Sequence, residues 1–188
     1  MRKRSTKFGR HSNRMQTWDY SKAGYYFITV TVRGRKRWFG EIRNGQMYKT
    51  PLGEFVESSW CRTAELRPSM NIWLGEFVVM PDHFHAVLRI GPNEHNMSLC
   101  SSTVWSTPED VLKELNHPKN AFGPQSNNLA SIVRGFKASV TTEARKQGIP
   151  FEWDSRYHDS IVRSVGDLNF VRDYIRTNIQ RWKGIKSL

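Results

Sequence analysis

The sequence predicts an α+β domain, a two-layer sandwich in which helices cover a mainly antiparallel sheet. Three observations predict it. Tyr25-Tyr26-Phe27-Ile28-Thr29-Val30-Thr31-Val32 is an unbroken β-branched and aromatic run. Ile72 to Met80 and Phe84 to Ile90 are two apolar runs of strand length with almost no chain between them, which predicts an antiparallel pair or one bent ribbon. Leu129, Ile132, Val133, Phe136, Val140 and Ala144 recur at helical spacing behind the capping candidates Ser126, Asn127 and Asn128. At 188 residues the chain has the length of one domain.

In chain order, residues 1–16 carry Arg2, Lys3, Arg4, Lys7, Arg10 and Arg14 with no acid, and read as a flexible basic arm or a merely solvated terminus. Residues 17–188 read as a single domain. Its first strand ends in the basic turn Arg33-Gly34-Arg35-Lys36-Arg37. Trp38 to Ile42 and Gln46 to Lys49 flank Asn44-Gly45, a pair that tolerates the positive φ angles of a tight hairpin. Pro51 opens a helix whose apolar positions Leu52, Phe55, Val56, Trp60, Ala64 and Leu66 run to Pro68. After the strand pair, about 91–128 is rich in Ser, Pro, Asn and Gly, and predicts a mobile polar insertion with a short helix near Pro108 to Leu115. Phe151 to Val162 reads as the last strand. A final helix from Asp167 buries Leu168, Val171, Ile175, Ile179 and Trp182.

Twenty-nine Lys and Arg against 17 Asp and Glu give a net charge of +12, which makes a polyanion the first partner to consider. Aromatic residues at 12% and hydrophobic residues at 38% suit a folded body rather than a basic tail. No apolar run approaches the ~18 residues that span a bilayer, and no apolar stretch follows the basic start, so no membrane partner and a cytoplasmic location are expected. Cys61 and Cys100 lack metal or redox spacing and read as reduced thiols. The chain has no GxxxxGK loop, HExxH helix, GxSxG elbow or GxGxxG fingerprint. A nucleotide cofactor, a zinc protease and a serine hydrolase are therefore unsupported.

Chemistry concentrates in Pro81-Asp82-His83-Phe84-His85. Side chains two apart on a strand share a face, so His83 and His85 project together, giving half of a metal site on an otherwise apolar strand. Two such histidines can also be ordinary surface residues. On the final helix Tyr174 and Asn178 are four apart and share a face beside the apolar stripe, where a phenol and an amide oxygen arrive together. Such a tyrosine can equally be core boundary. Arg134, Lys137, Thr141 and Arg145 line one flank of the helix after Asn128, and with Arg163 and Arg181 they can follow phosphates or form a solvated face.

These segments together resemble the single-tyrosine HUH transposases, and among them the REP-associated tyrosine transposases of bacteria. Pro81 to His85 is similar to the histidine-hydrophobe-histidine motif, and Phe170-Val171-Arg172-Asp173-Tyr174-Ile175-Arg176-Thr177-Asn178 to the nucleophile helix. Ser131 to Lys137, Trp153 to Arg163 and Phe39-Gly40-Glu41 agree as well, so the resemblance covers roughly residues 17 to 183. Many relatives have a histidine where Ser160 stands and a proline where Ile179 stands. The resemblance implies a ferredoxin-like fold with helices on one face of the sheet. It implies an endonuclease and strand transferase acting on single-stranded DNA next to hairpins such as REP elements, as a monomer or homodimer. Tyr174 would be the nucleophile of a 5′-phosphotyrosine intermediate, and His83, His85 and Asn178 the ligands of a divalent ion, Mg or Mn. A hairpin-binding protein without cleavage activity is the alternative; the presence of all four residues favours the enzyme.

Overall fold

The computed structural model describes residues 18–97 and 126–182. The basic arm, Cys100 and most of the 91–128 insertion lie outside the described residues.

Strand β1 (Gly24–Thr31) is one of the sheet's two inner strands, and its alternation decides which layer each residue joins. Val32 leads into a short turn and then into the hairpin β2 (Gly40–Arg43) and β3 (Gln46–Lys49). Asn44 and Gly45 hold φ of 50° and 72°, the left-handed pair that a two-residue hairpin requires. Thr50 caps helix α1 (Pro51–Cys61), accepting a hydrogen bond from the Gly53 N–H, and Pro51 occupies the first turn. The helix stops well before Pro68. Leu66, read as part of its apolar stripe, is exposed on the irregular segment that follows.

Strands β4 (Ile72–Met80) and β5 (His83–Ile90) form the expected antiparallel pair, joined by Pro81 and Asp82 alone. Helix α2 (Leu129–Lys146) starts with a capping box in which Asn128 and Ser131 each satisfy the other's backbone N–H. Phe151 to Val162 is not one strand. Phe151 and Trp153 fill the core from irregular chain touching the sheet by a single bridge, Val32 to Trp153, and pairing starts only at β6 (His158–Val162). Ser164 then caps α3 (Val165–Arg181).

The four main strands lie in the order β4-β5-β1-β6, every neighbour antiparallel. With α1 after β1 and α2 after β5, this is the ferredoxin-like α+β sandwich. Even-numbered residues of β1 and β5 (Tyr26, Ile28, Val30, Phe84, Ala86, Leu88) face α1 and α2, where Leu52, Val56, Trp60, Ile132, Val133 and Phe136 complete the main core. Odd-numbered residues face the other way. There Val78, Met80, Val87 and Val162 meet Leu168 and Ile175, so α3 is an added helix on the sheet's second face. Among the described residues no helix is long and apolar enough to cross a membrane.

Two ends of the polar insertion are fixed. Asn96 is buried and donates to the Ser21 and Gly91 carbonyls, and the Leu129 N–H donates to Tyr20 O.

Candidate active site on the second sheet face

The register of β5 puts both histidines on the face that α3 covers. Val78, His85, Thr29 and His158 share one rung across β4, β5, β1 and β6; Met80, His83 and Thr31 share the next. His83 and His85 are 6% and 5% exposed, with ring centroids 4.6 Å apart. Buried imidazoles need partners, and each has one on Nδ1. His85 Nδ1 lies 2.8 Å from Thr29 Oγ1 and His83 Nδ1 lies 2.5 Å from Asp82 Oδ1. Asp82 sits in the Pro81–Asp82 turn, whose carbonyls accept from the Val32 and Phe39 N–H groups.

With Nδ1 engaged, both Nε2 atoms are left for chemistry. A carboxylate or hydroxyl on Nδ1 fixes tautomer and ring orientation, which is how metal-ligating histidines are normally supported. Burial, then the neighbouring His83 and Arg35, push His85 down to about 3, so its imidazole is neutral and keeps a lone pair at physiological pH. Phe27 stacks on His85 at 5.4 Å and meets the Tyr174 ring edge-on at 6.1 Å.

Helix α3 supplies the rest. The Tyr174 hydroxyl is 3.5 Å from His85 Nε2, with the two rings 5.3 Å apart. Two turns on, Trp182 packs on His83 at 5.7 Å. Asn178 lies between them in the same helical row, one turn from each, and is buried. It therefore faces the histidine pair. The rotation of α3 is set from its outer side by Glu76 of β4, which accepts from Arg172 Nε at 2.9 Å and Arg176 Nη2 at 2.7 Å. Burial raises the Glu76 carboxyl, but its own backbone hydrogen bond and the Arg172 and Arg176 guanidinia outweigh this and hold it below the usual range.

Among the described residues no three His, Cys, Asp or Glu side chains gather as a metal site would require. The candidate donors on this face are the two imidazoles and, in the helical row between Tyr174 and Trp182, the buried Asn178 amide. Imidazole nitrogens as donors would fit a borderline ion such as manganese better than magnesium, which prefers oxygen ligands.

The basic residues scatter more widely. Helix α2 lies on the opposite face, so Arg134, Lys137 and Arg145 are separated from the histidines by the sheet. Lys137 is half-buried and donates to Asp154 O at 2.7 Å, while Trp153 donates back to Lys137 O at 3.1 Å. Burial pushes its ammonium down. Lys137 and Arg145 border an open cavity of about 740 Å³ with Arg33 and Glu152; Arg134 borders a smaller one with Arg67 and Ser131. Arg163 follows β6 and Arg181 ends α3, both exposed. Arg2, Lys3, Arg4, Lys7, Arg10 and Arg14 lie outside the described residues. Sequence reasoning missed Thr29, Arg35 and His158. The strand register brings Thr29 and His158 to the site rung, which needs the β1–β5 and β1–β6 pairings to be known.

No protein-family model matches the sequence. An uncharacterized protein of Haemophilus influenzae is 31% identical over 175 residues, spanning 93% of this chain and 90% of its own. A solved structure described as a REP-associated tyrosine transposase bound to a REP hairpin has a TM-score of 0.53 at 17% identity, covering 88% of this chain and 78% of that one. The fold is thus shared with that transposase.

Proposed function

The chain belongs to one family with the Haemophilus influenzae protein, and for it we propose a DNA endonuclease and strand transferase that acts on single-stranded DNA next to hairpins. One observation carries the reading. The Tyr174 hydroxyl lies 3.5 Å from Nε2 of His85, a neutral imidazole buried beside His83, with Asn178 one turn further along the same helix. A core-boundary tyrosine has no need of two buried imidazoles whose Nδ1 atoms are both tied back. The shared fold with a hairpin-bound transposase and the net charge of +12 support DNA as substrate.

In the proposed reaction the Tyr174 oxygen bonds to the phosphorus as the bond from phosphorus to the 3′-oxygen breaks. The phenol proton is lost, the departing 3′-oxygen takes up a proton, and the 5′-phosphate stays on Tyr174. Reversal by a 3′-hydroxyl restores a phosphodiester and frees the tyrosine, so no nucleotide hydrolysis is required. A divalent ion, when bound, would neutralise the scissile phosphate and align its oxygens for in-line displacement. His83, His85 and Asn178 would hold it. Thr29 and Asp82 fix the two imidazoles, Phe27 stacks on His85, and Glu76 holds the helix that aims the phenol.

The test is cleavage of oligonucleotides carrying the hairpins that flank the gene, with magnesium, manganese or chelator. The reading expects nicking in the single strand beside the hairpin, with either metal and not in chelator. Equal nicking in chelator sinks the metal role, and cleavage restricted to plain duplex sinks the substrate. Hairpin binding without any nicking would favour the alternative, a structure-specific DNA-binding protein.

A further inference from the structure

We propose that Arg35 is a phosphate-binding residue. Its guanidinium, steered by Asp82, takes a non-bridging oxygen of the DNA backbone above the histidine pair. The inference deepens the endonuclease reading and rests on it for the class of ligand.

Arg35 ends the short turn Arg33–Arg35 that follows β1, closed by its own N–H donating to Val32 O at 3.0 Å. Gly34 and Arg35 have φ of 66° and 54°. Glycine adopts that region freely, whereas an arginine there is strained, and such strain persists only where the surroundings enforce it. They do so here. The Val32 N–H donates to Asp82 O, the Phe39 N–H to Pro81 O and the Arg33 N–H to Glu152 O, at 2.9, 3.1 and 2.9 Å. The turn is thereby tied to the Pro81–Asp82 turn that delivers His83.

The side chain follows the backbone. Arg35 Nη1 is 3.7 Å from Asp82 Oδ2 and 3.5 Å from His83 Nδ1. Asp82 is almost wholly buried, gives Oδ1 to His83, and leaves Oδ2 without a hydrogen-bond partner among the described residues. An arginine serving only to neutralise that carboxylate would close to hydrogen-bonding range and give up solvent. Arg35 does neither; its side chain is 51% exposed. By contrast, Arg33 two residues earlier is engaged by Glu152 at 2.5 Å. An open planar fork beside two buried imidazoles is a receptor for a phosphate oxygen, which it can meet with two parallel N–H groups. Fixed donors of this kind act where negative charge builds up during phosphoryl transfer.

The experiment uses the full-length protein carrying Tyr174→Phe, so that DNA is bound and not cut. Binding of a labelled hairpin with its flanking single strand is followed by fluorescence anisotropy over a salt series. Arg35→Gln should reduce the magnitude of the slope of log K against log salt by about 0.7, the value for one single-strand phosphate. Methylphosphonates are then scanned through the strand. At one position the neutral linkage should weaken the protein with Arg35 and leave Arg35→Gln unaffected, erasing the difference between them. Arg35→Gly relieves the left-handed backbone, so it should bind like Arg35→Gln with a Tm no lower than the parent's, separating a lost contact from a lost fold. An unchanged slope, or a difference that survives neutralisation at every position, overturns the proposal. With Tyr174 restored, single-turnover nicking by Arg35→Gln should fall by ~10²- to 10³-fold. If the wild type never nicks while the slope and methylphosphonate results hold, the endonuclease reading fails and Arg35 stands as a phosphate ligand.

Discussion

Replacing Thr29 by Val tests whether His85 acts through Nε2. The change keeps the shape and β preference of an inner-strand residue and removes only the hydroxyl 2.8 Å from His85 Nδ1. For Nε2 to offer its lone pair, Nδ1 must carry the hydrogen, so the Thr29 oxygen is the acceptor that fixes this tautomer. Without it, a buried N–H is left unsatisfied at a residue 5% exposed, which costs about 1–3 kcal/mol. Burying the extra methyl offsets less than ~1 kcal/mol of this. The expected loss of stability is about 1–2 kcal/mol, read as a shift in the urea midpoint without a change in slope. The functional loss should be larger in kind. Outer-shell partners of metal-bound histidines are worth roughly 10- to 100-fold in metal affinity or activity. Single-turnover nicking of a labelled hairpin substrate, titrated with manganese, should show that loss chiefly as a raised metal requirement. Thr29→Ser keeps the oxygen and should stay near wild type. If Thr29→Val lowers stability as expected yet nicks within about twofold of wild type at every metal concentration, Nε2 of His85 is not the working atom.

Glu76→Gln should release α3 from β4 by weakening both arginine contacts, costing about 1 kcal/mol in chemical denaturation. It should slow nicking more than it weakens hairpin binding, because it bears on the aim of Tyr174 through Arg172 and Arg176. The metal-free protein should lose stability in acid through His85. Its folded pKa of about 3 is below the ordinary 6.5, so between those values the unfolded chain binds a proton that the native one refuses. Stability is complete above pH 6.5 and falls as pH drops toward 3, by up to a few kcal/mol. The midpoint difference between pH 7.5 and pH 5 should be smaller in His85→Asn than in wild type; an equal difference would assign the acid sensitivity to other groups.

Much of this fold follows from two periodicities. The alternation in Tyr25 to Val32 and in Phe84 to Ile90 places the histidines opposite the main core, and four-residue spacing links Tyr174 to Asn178. The face taken by α3 was less accessible. The stripe of Leu168, Val171 and Ile175 would satisfy either side of the sheet, and the choice depends on Val78, Val87 and Val162 forming a second apolar surface. The segment from Phe151 misled for a different reason. Phe151 and Trp153 are large enough to fill the core without strand pairing, so their burial imitates a strand. Arg35 was hidden because a basic turn reads as solvated charge until its left-handed backbone is seen to face Asp82. Lys137 looked like a free cation and proves to be committed to the Asp154 carbonyl.

In the proposed reaction everything depends on Tyr174 as the nucleophile. Trapping the protein with a hairpin substrate that lacks a usable 3′-hydroxyl for reversal, digesting both components and sequencing the modified peptide by mass spectrometry tests this directly. A nucleotide 5′-phosphate is expected on Tyr174, in the peptide containing Asp173 and Ile175. Tyr174→Phe protein that still binds the hairpin should give no adduct. An adduct on Tyr157, whose ring packs toward the main core, or on any other residue would contradict the assignment of Tyr174, as would nicking by Tyr174→Phe at the wild-type rate.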